Sequence, residues 1–470
     1  MSRTRARPEA TPTLDPPPEV REIAHALERA GFETWCVGGA VRDALLGLPH
    51  LDWDLATAAT PPQVKRVFRR TVPVGEQFGT IGVLDRHGRL HEVTTFRRDV
   101  QTDGRHAVVE FGASLDEDLA RRDFTINAIA YSPSRDVLHD PFRGRDDLAH
   151  GVVRAVGAAR ERLVEDRLRA LRAMRFAGRF GFRIEPSTWA AIVESAPHLP
   201  RLSRERVRQE LEKTMEQVAA PSRTMSLWRN AGAMRVLVPL VDARPAWQLH
   251  AADLLACPDV TTSAGRKRRR TLVRLGTLFV GERYAAVTAA LRDLRLSNRD
   301  VEWVAQLAVQ ATALREPLRA AIGAPAMASD ATLRRWAADT GRTRLADVLR
   351  VALAVLAALA LHGGAVGVAS DGTSTGEAAS VAGAAGPRAR ALYRRALVVA
   401  HRDPVEVADL AVDGEDLMRE GGVPRGPALG EALRHLRDAV VEQPSHNDRT
   451  TLLALARAWS AARAPGYGEG

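Results

Sequence analysis

Cysteine and lysine are the scarce residues of this 470-residue chain. Two cysteines, Cys36 and Cys257, exclude a disulfide framework and a cysteine-built zinc cluster. Cys36 lies in an apolar stretch and reads as a small buried hydrophobe. Only Lys65, Lys213 and Lys267 are lysines among 67 basic residues, so nearly all the cationic charge is guanidinium. Long hydrophobic runs are missing as well: the most apolar one, residues 351–361, is too short to span a bilayer. No amino-terminal signal pattern precedes it, and the expectation is a cytoplasmic protein. What is present is 45% apolar and 26% charged residues, enough for several packed units. A net charge of +10 and a pI near 10.5 point to a polyanionic partner, although arginine-rich codon usage accounts for the same numbers equally well.

Periodicity divides the chain. Residues 1–18 form a disordered basic arm carrying Arg3, Arg5 and Arg7. Ile23, Ala24, Leu27 and Ala30 share a helix face that Gly31 ends, and residues 34–37 have the composition of a buried strand. A second helix is expected from Pro61, with further strands at 80–84, 90–95 and 128–131, so residues 19–150 read as an α/β head. Amphipathic helices follow at 167–180, 188–196, 204–219, 284–295 and 301–322. The expected units are thus the head, a neck (151–218), a body (219–362), a flexible linker or insertion rich in Gly, Ala, Ser and Thr (363–387), a tail (388–463) and a disordered end (464–470). The run Gly265-Arg266-Lys267-Arg268-Arg269-Arg270 is either a solvated loop or a phosphate contact.

The chemistry concentrates near the start. Gly38-Gly39-Ala40-Val41-Arg42-Asp43 is followed nine residues later by Asp52-Trp53-Asp54. On a strand, alternation projects Asp52 and Asp54 from one face and turns Trp53 to the other. Two carboxylates that converge call for cations. Magnesium suits them, because it takes oxygen ligands and keeps positions open for substrate phosphates. Gly38 and Gly39, without side chains, let a polyphosphate approach the backbone, and Arg42 is placed to neutralise it. Taken singly, the glycine pair is a turn and Asp-x-Asp an exposed strand. In this order and spacing, Trp35-Cys36-Val37-Gly38-Gly39-Ala40-Val41-Arg42-Asp43-Ala44-Leu45-Leu46-Gly47 with Asp52-Trp53-Asp54-Leu55-Ala56-Thr57 closely resembles the signature of the class II nucleotidyltransferases. That family contains the CCA-adding tRNA nucleotidyltransferases and the bacterial poly(A) polymerases.

Further segments carry the resemblance. Arg121-Arg122-Asp123-Phe124-Thr125-Ile126-Asn127-Ala128 is similar to the family's second head motif, which implies that Arg121 and Arg122 grip the triphosphate while Asp123 and Asn127 bond the ribose. His91-Glu92-Val93-Thr94-Thr95-Phe96-Arg97 resembles the segment after the paired aspartates; Glu92 is then either a third acid near the metals or an exposed strand-end acid. Residues 140–148 resemble the segment closing the head and read as a structural hinge. Glu165-Asp166-Arg167-Leu168-Arg169 resembles the motif in which protein side chains choose the base. On a helix, Asp166 and Arg169 share a face, one accepting from an exocyclic amine and the other donating to a ring nitrogen or carbonyl. The alternative is an ordinary surface ion pair. Residues 204–211 resemble the neck helix, where Arg206 and Glu210 are expected to brace the base-selecting helix.

The resemblance implies an α/β nucleotidyltransferase head, a polymerase-β-like mixed sheet with helices, followed by an all-α neck, body and tail. It implies magnesium as cofactor, with Asp52 and Asp54 as ligands, and tRNA, CTP and ATP as partners. The tail segments 410–418 and 426–433 resemble the tRNA-gripping end of bacterial CCA-adding enzymes and favour full CCA addition over poly(A) synthesis or a partial CC-only or A-only activity. The stretch from Asp99 to Val109, with Arg105 and His106, is the expected element for switching between nucleotides. A non-catalytic RNA-binding protein is the remaining alternative, disfavoured because such a module has no use for acids that repel RNA. His-Asp occurs only as His139-Asp140, inside the head, so the accessory phosphohydrolase domain of long relatives is expected to be absent.

Overall fold

Apolar runs and their caps determine the first elements. A computed structural model describes residues 14–49, 52–102, 107–258, 262–363 and 386–463. Pro18, whose fixed φ suits a first helical turn, opens α1 (Pro18–Arg29), which buries Val20, Ile23, Ala24 and Leu27. Strand β1 (Thr34–Val37) is buried at all four positions: Trp35, Cys36 and Val37 are apolar, and the Thr34 hydroxyl meets the Thr57 hydroxyl at 3.0 Å. Burial pushes the Cys36 thiol far up, in keeping with a packing role. A short helix, α2 (Gly39–Leu45), follows directly, which the glycine pair, read as a turn, does not signal. Strand β2 (Asp54–Thr57) begins at Asp54, so Asp52 precedes the strand instead of lying on it. Helix α3 (Pro61–Val67) is entered through a capping box of Thr60 and Gln63.

Strands β3 (Thr71–Gly75), β4 (Thr80–Leu84) and β5 (Leu90–Thr95) form a meander. A separate hairpin follows, β6 (Arg97–Thr102) with β7 (Ala107–Phe111). Helix α4 (Leu115–Ala120) is capped by Ser114 and Glu117 and leads to β8 (Ala130–Ser132) and β9 (Val137–His139). The seven-stranded sheet has the order β3-β4-β5-β2-β1-β8-β9. Its pairs are antiparallel except β2 with β5, which run parallel. Trp35, Val37, Ala56, Phe96, Leu115, Leu119, Ala128 and Ala130 form a core cluster of this head.

Helix α5 (Gly144–His150) closes the head. Gly144 gives its N–H to Asp140 Oδ1 at 2.7 Å, and a Cβ there would stand 2.1 Å from the Thr125 carbonyl oxygen. The close approach fixes the backbone just before Asn127. Because a backbone oxygen has nowhere to retreat, Gly144→Ala is expected to cost about 2–3 kcal/mol, read as a lowered urea midpoint.

Beyond the head, helices dominate: α6 (Ala159–Glu165), α7 (Leu168–Phe180), α8 (Pro186–Ser195) and α9 (Arg204–Gln217). A two-residue parallel pair, Val152–Val153 with Arg183–Ile184, ties α5 to the end of α7. The chain divides into two units after Asp242.

The second unit is helical. Its principal core surrounds a helix at Arg342–Gly363, which buries Leu345, Val348, Leu349, Val351, Ala352 and Val355. By length and composition this helix is long and apolar enough to cross a membrane, which corrects the estimate made from residues 351–361 alone. The helix starts nine residues earlier than that run and lies mostly buried in the unit's own core. The basic run at 265–270 is no loop. It lies in a helix at Ala264–Gly276, where Arg268 pairs with Asp300 at 2.8 Å and Arg269 with Asp347 at 2.6 Å. A third cluster, around Leu417, Leu436, Leu452 and Ala456, packs the tail helices. The expected basic arm over 1–13, residues 103–106 with Arg105 and His106, most of the expected linker (364–385) and the end at 464–470 lie outside the described residues.

Candidate active site

The ends of β1 and β2, the segment Arg121–Asn127 and the faces of α7 and α9 enclose a cleft of about 410 Å³ in the first unit. Gly38 and Gly39, at the end of β1, present bare backbone to it. Gly38 adopts φ +78°, a conformation that side chains disfavour, and a Cβ there would come within 3.0 Å of Arg122 Nη1. The dihedral requires the glycine, while the Arg122 guanidinium beside it would have to shift only slightly for a side chain.

Asp54 lines the cleft where β2 starts. The parallel register pairs Leu55 with Val93, so the preceding residues, Asp54 and Glu92, come side by side on one face. Trp53 is buried, while Asp52, Asp54 and Glu92 are open to solvent, which preserves the expected alternation although Asp52 is off the strand. Partial burial at the cleft wall, then the Glu92 and Asp52 charges, push Asp54 up to about 6 against the pull of Arg122. A carboxylate held up by like charges is one that an added cation would stabilise. Among the described residues no three His, Cys, Asp or Glu side chains form a ready metal cage. Magnesium does not need one, since it is commonly held by one or two carboxylates together with waters and substrate phosphates. The donor set of Asp52 and Asp54, with Glu92 adjacent, fits that ion.

The opposite wall is cationic. Arg121 and Arg122 share the fully buried Asp118, at 2.8 and 3.2 Å. One carboxylate thereby orients both guanidiniums and leaves donors of each unspent. Behind them Asn127 accepts from Arg42 Nη1 at 2.6 Å and donates to Asp123 Oδ1 at 2.8 Å, and Asp123 Oδ2 accepts from Arg172 Nε at 2.8 Å. Burial would raise the Asp123 pKa, but Arg172 and Asn127 hold it below the usual range. Arg42 also pairs with Asp43 and lies over the rings of Phe176 and Phe180. Desolvation pulls Arg42, Arg175 and Lys213 down in pKa, and neighbouring arginines lower each further. A site whose cations repel one another has capacity to spare for a polyanion.

Arg172, Arg175, Phe176, Lys213 and Gln217 line the cleft and were not singled out in the sequence reading. Their signal was the spacing of Arg172, Arg175 and Arg179 on α7, which puts a guanidinium at each turn of one face.

Asp166 and Arg169 are not on one helix. Asp166 ends α6 in an extended conformation, with Oδ1 accepting from the Leu168 N–H at 3.0 Å and Oδ2 from Arg206 at 2.7 Å. Arg169, in the first turn of α7, donates to Glu165 at 2.8 Å and to the carbonyls of Arg162 and Arg121. Neither belongs to the lining of the cleft in this conformation. Arg206 and Glu210 do brace this region: Arg206 holds Asp166, and Glu210 holds Arg175 at 2.7 Å.

Three family models match, described as poly A polymerase head domain (residues 34–154), probable RNA and SrmB-binding site of polymerase A (181–244) and putative tRNA nucleotidyltransferase domain 2 (393–456). A CCA-adding enzyme of Leuconostoc mesenteroides is 49% identical over 199 residues, 42% of this chain and 49% of that one. That alignment spans about half of the relative's length. A CCA-adding enzyme of Limosilactobacillus fermentum is 34% identical over 447 residues, covering 93% of this chain and 95% of its own. The crystal structure of the Bacillus stearothermophilus CCA-adding enzyme in complex with CTP is similar with a TM-score of 0.71 at 30% identity, over 96% of this chain and 99% of that one.

Proposed function

This chain belongs to the CCA-adding enzyme family, and on that premise we propose that it extends tRNA 3′ ends with C, C and A from CTP and ATP, without a nucleic-acid template. The observation that carries this reading is the carboxylate cluster of Asp54, Glu92 and Asp52 at the mouth of an arginine-walled cleft. The tRNA 3′-hydroxyl oxygen attacks the α-phosphorus, the bond to the β-phosphate oxygen breaks, pyrophosphate leaves and the hydroxyl proton passes to solvent. Arg121 and Arg122 bind the triphosphate, supported from behind by Arg42 and Arg172. Asp123 and Asn127 set the ribose edge. Magnesium, held by Asp52 and Asp54, supplies charge stabilisation at the attacking and leaving oxygens when bound. Glu92 is the third acid of the group. The cytoplasmic setting and the division into head, neck, body and tail belong to the same reading.

Asp166 and Arg169 select the base by offering a carboxylate and a guanidinium to the edge that cytosine and adenine share. For this, Arg169 turns from Glu165 and Asp166 keeps Arg206 as its brace. Uracil and guanine set a carbonyl against the carboxylate, a mismatch worth several kcal/mol in a desolvated site, on the order of a hundredfold or more in discrimination.

The test supplies the protein and magnesium with tRNAs ending before CCA, after C and after CC, offers each labelled nucleotide alone, and sequences the products. CTP addition stopping at two residues, then one adenosine, is the expected outcome. Long adenosine tracts on generic RNA would replace the reading with polyadenylation. In the same assay Asp166→Ala should incorporate UTP or GTP; unchanged selectivity removes that residue from base choice.

A further inference from the structure

The sheet face that carries the carboxylates does not end at Glu92. Direct cross-strand partners in a sheet project to the same side, so the pairing of Glu92 with Gly82, and of Gly82 with Val72, continues the row Asp54–Glu92 outward to the sheet edge at β3. This outer half is apolar and uncovered: Val72, Val74, Phe78 and Leu90 are all exposed, at 37 to 45%. Gly82 is its floor. A Cβ there would stand 2.7 Å from Leu90 Cδ1 and 2.8 Å from Val74 Cγ2, so both side chains lean over the glycine and form a shallow apolar platform next to Glu92.

We propose that this platform, Val74 and Leu90 over Gly82, receives the ribose and base of the tRNA's terminal nucleotide and so delivers its 3′-hydroxyl to the carboxylates. The inference rests on the nucleotidyl-transfer reading above and names residues for its acceptor side. Two observations select this occupant. The arginine-lined cleft lies on the β1 and β8 side of Asp54, which assigns the triphosphate there and leaves the β5–β4–β3 side for the attacking strand. The platform is also continuous with an acidic edge, which repels phosphate but tolerates a neutral base face. Every base has such a face, so an apolar platform accepts a terminus that changes during the reaction, while a hydrogen-bonding pocket would reject some of the successive ends.

The test uses the full chain and short acceptor-stem RNAs ending before CCA, either normal or with an abasic terminal nucleotide. In Leu90→Ser/Val74→Ser, KM for the normal acceptor should rise about tenfold while KM for CTP stays constant; the abasic acceptor should cost the unaltered protein a similar factor and the variant almost nothing more. Circular dichroism and the thermal midpoint report whether the exposed substitutions leave the fold intact. An abasic penalty as large in the variant as in the parent overturns the proposal, as does a rise in KM for CTP alone. Sedimentation of both proteins covers the other occupant: a parent dimer that the variant abolishes, with acceptor KM unchanged, would make the patch a contact between copies and overturn it too. Absence of any transfer by the unaltered protein would instead refute the nucleotidyl-transfer reading itself.

Discussion

Asp54→Asn should lower nucleotide transfer by about a thousandfold and raise, not lower, the thermal stability of the protein. The first effect follows from removing one of the carboxylates that hold charge at the reacting phosphate, a loss on the scale of removing a principal electrostatic element from an active site. The second follows from the sign of the pKa shift. Asp54 is pushed up to about 6 from a usual 3.8, so the folded protein binds this proton more tightly than the unfolded chain does. Its contribution to stability is therefore greatest below pH 3.8 and is lost as the pH rises through about 6. Asparagine removes the repelled charge, and at pH 7.5 the gain should be about 1 kcal/mol, well under the nominal conversion because solvent screens an exposed carboxylate. Below about pH 4 the two proteins should melt alike. In the unaltered enzyme without added cation, the same titration predicts magnesium affinity falling below pH 6. A variant that is less stable at every pH, or that turns over as fast as its parent, contradicts the placement of Asp54 beside Glu92.

Glu210→Ala should destabilise the first unit by about 4 kcal/mol. Glu210 and Arg175 are 1% and 3% exposed and meet at 2.7 Å. Lys213 and Arg172 stand at 3.8 and 4.0 Å from the same carboxylate. Removing one partner of a buried pair leaves the other desolvated without a counter-charge, which typically costs about 3–5 kcal/mol. Here three cations lose their common anion together. For a unit of this size the midpoint should fall by roughly 10 °C. The double variant Glu210→Leu/Arg175→Met should recover much of that loss, since two apolar side chains of similar volume carry no desolvation penalty. Differential scanning calorimetry of the parent and both variants separates the two expectations.

Much of the head could be read from residues alone because several of its strands are short and buried. The four buried positions at Thr34–Val37, three of them apolar, and the alternation at Leu90–Thr95 leave little else for those segments to do. Helix α2 was hidden by its glycine pair, which signals a turn, and by its brevity. The position of Asp166 was lost for a different reason. A spacing of three residues serves a helix face and a helix entry equally well, and the entry is what the Leu168 and Arg206 contacts select. Arg172 and Arg175 were legible as one side of an amphipathic helix, where arginine ordinarily means solvent. Nothing local says that the α/β head would cover that side. The basic run at 265–270 shows the same limit, since its helical pairing with Asp300 and Asp347 depends on partners over thirty residues away.

The bonds joining Asp123 to Arg172 and Asp43 to Arg179, at 2.8 and 3.0 Å, have a bearing on how the gene can be cut. Cleaving after His150 would take Arg172 from Asp123 and Arg179 from Asp43, leaving Asp43 only Arg42, and would lay bare the ring of Phe124, which packs edge to face on Phe176. A catalytic fragment meant to survive without the remaining helices should therefore extend at least to Asp242, where the first unit ends.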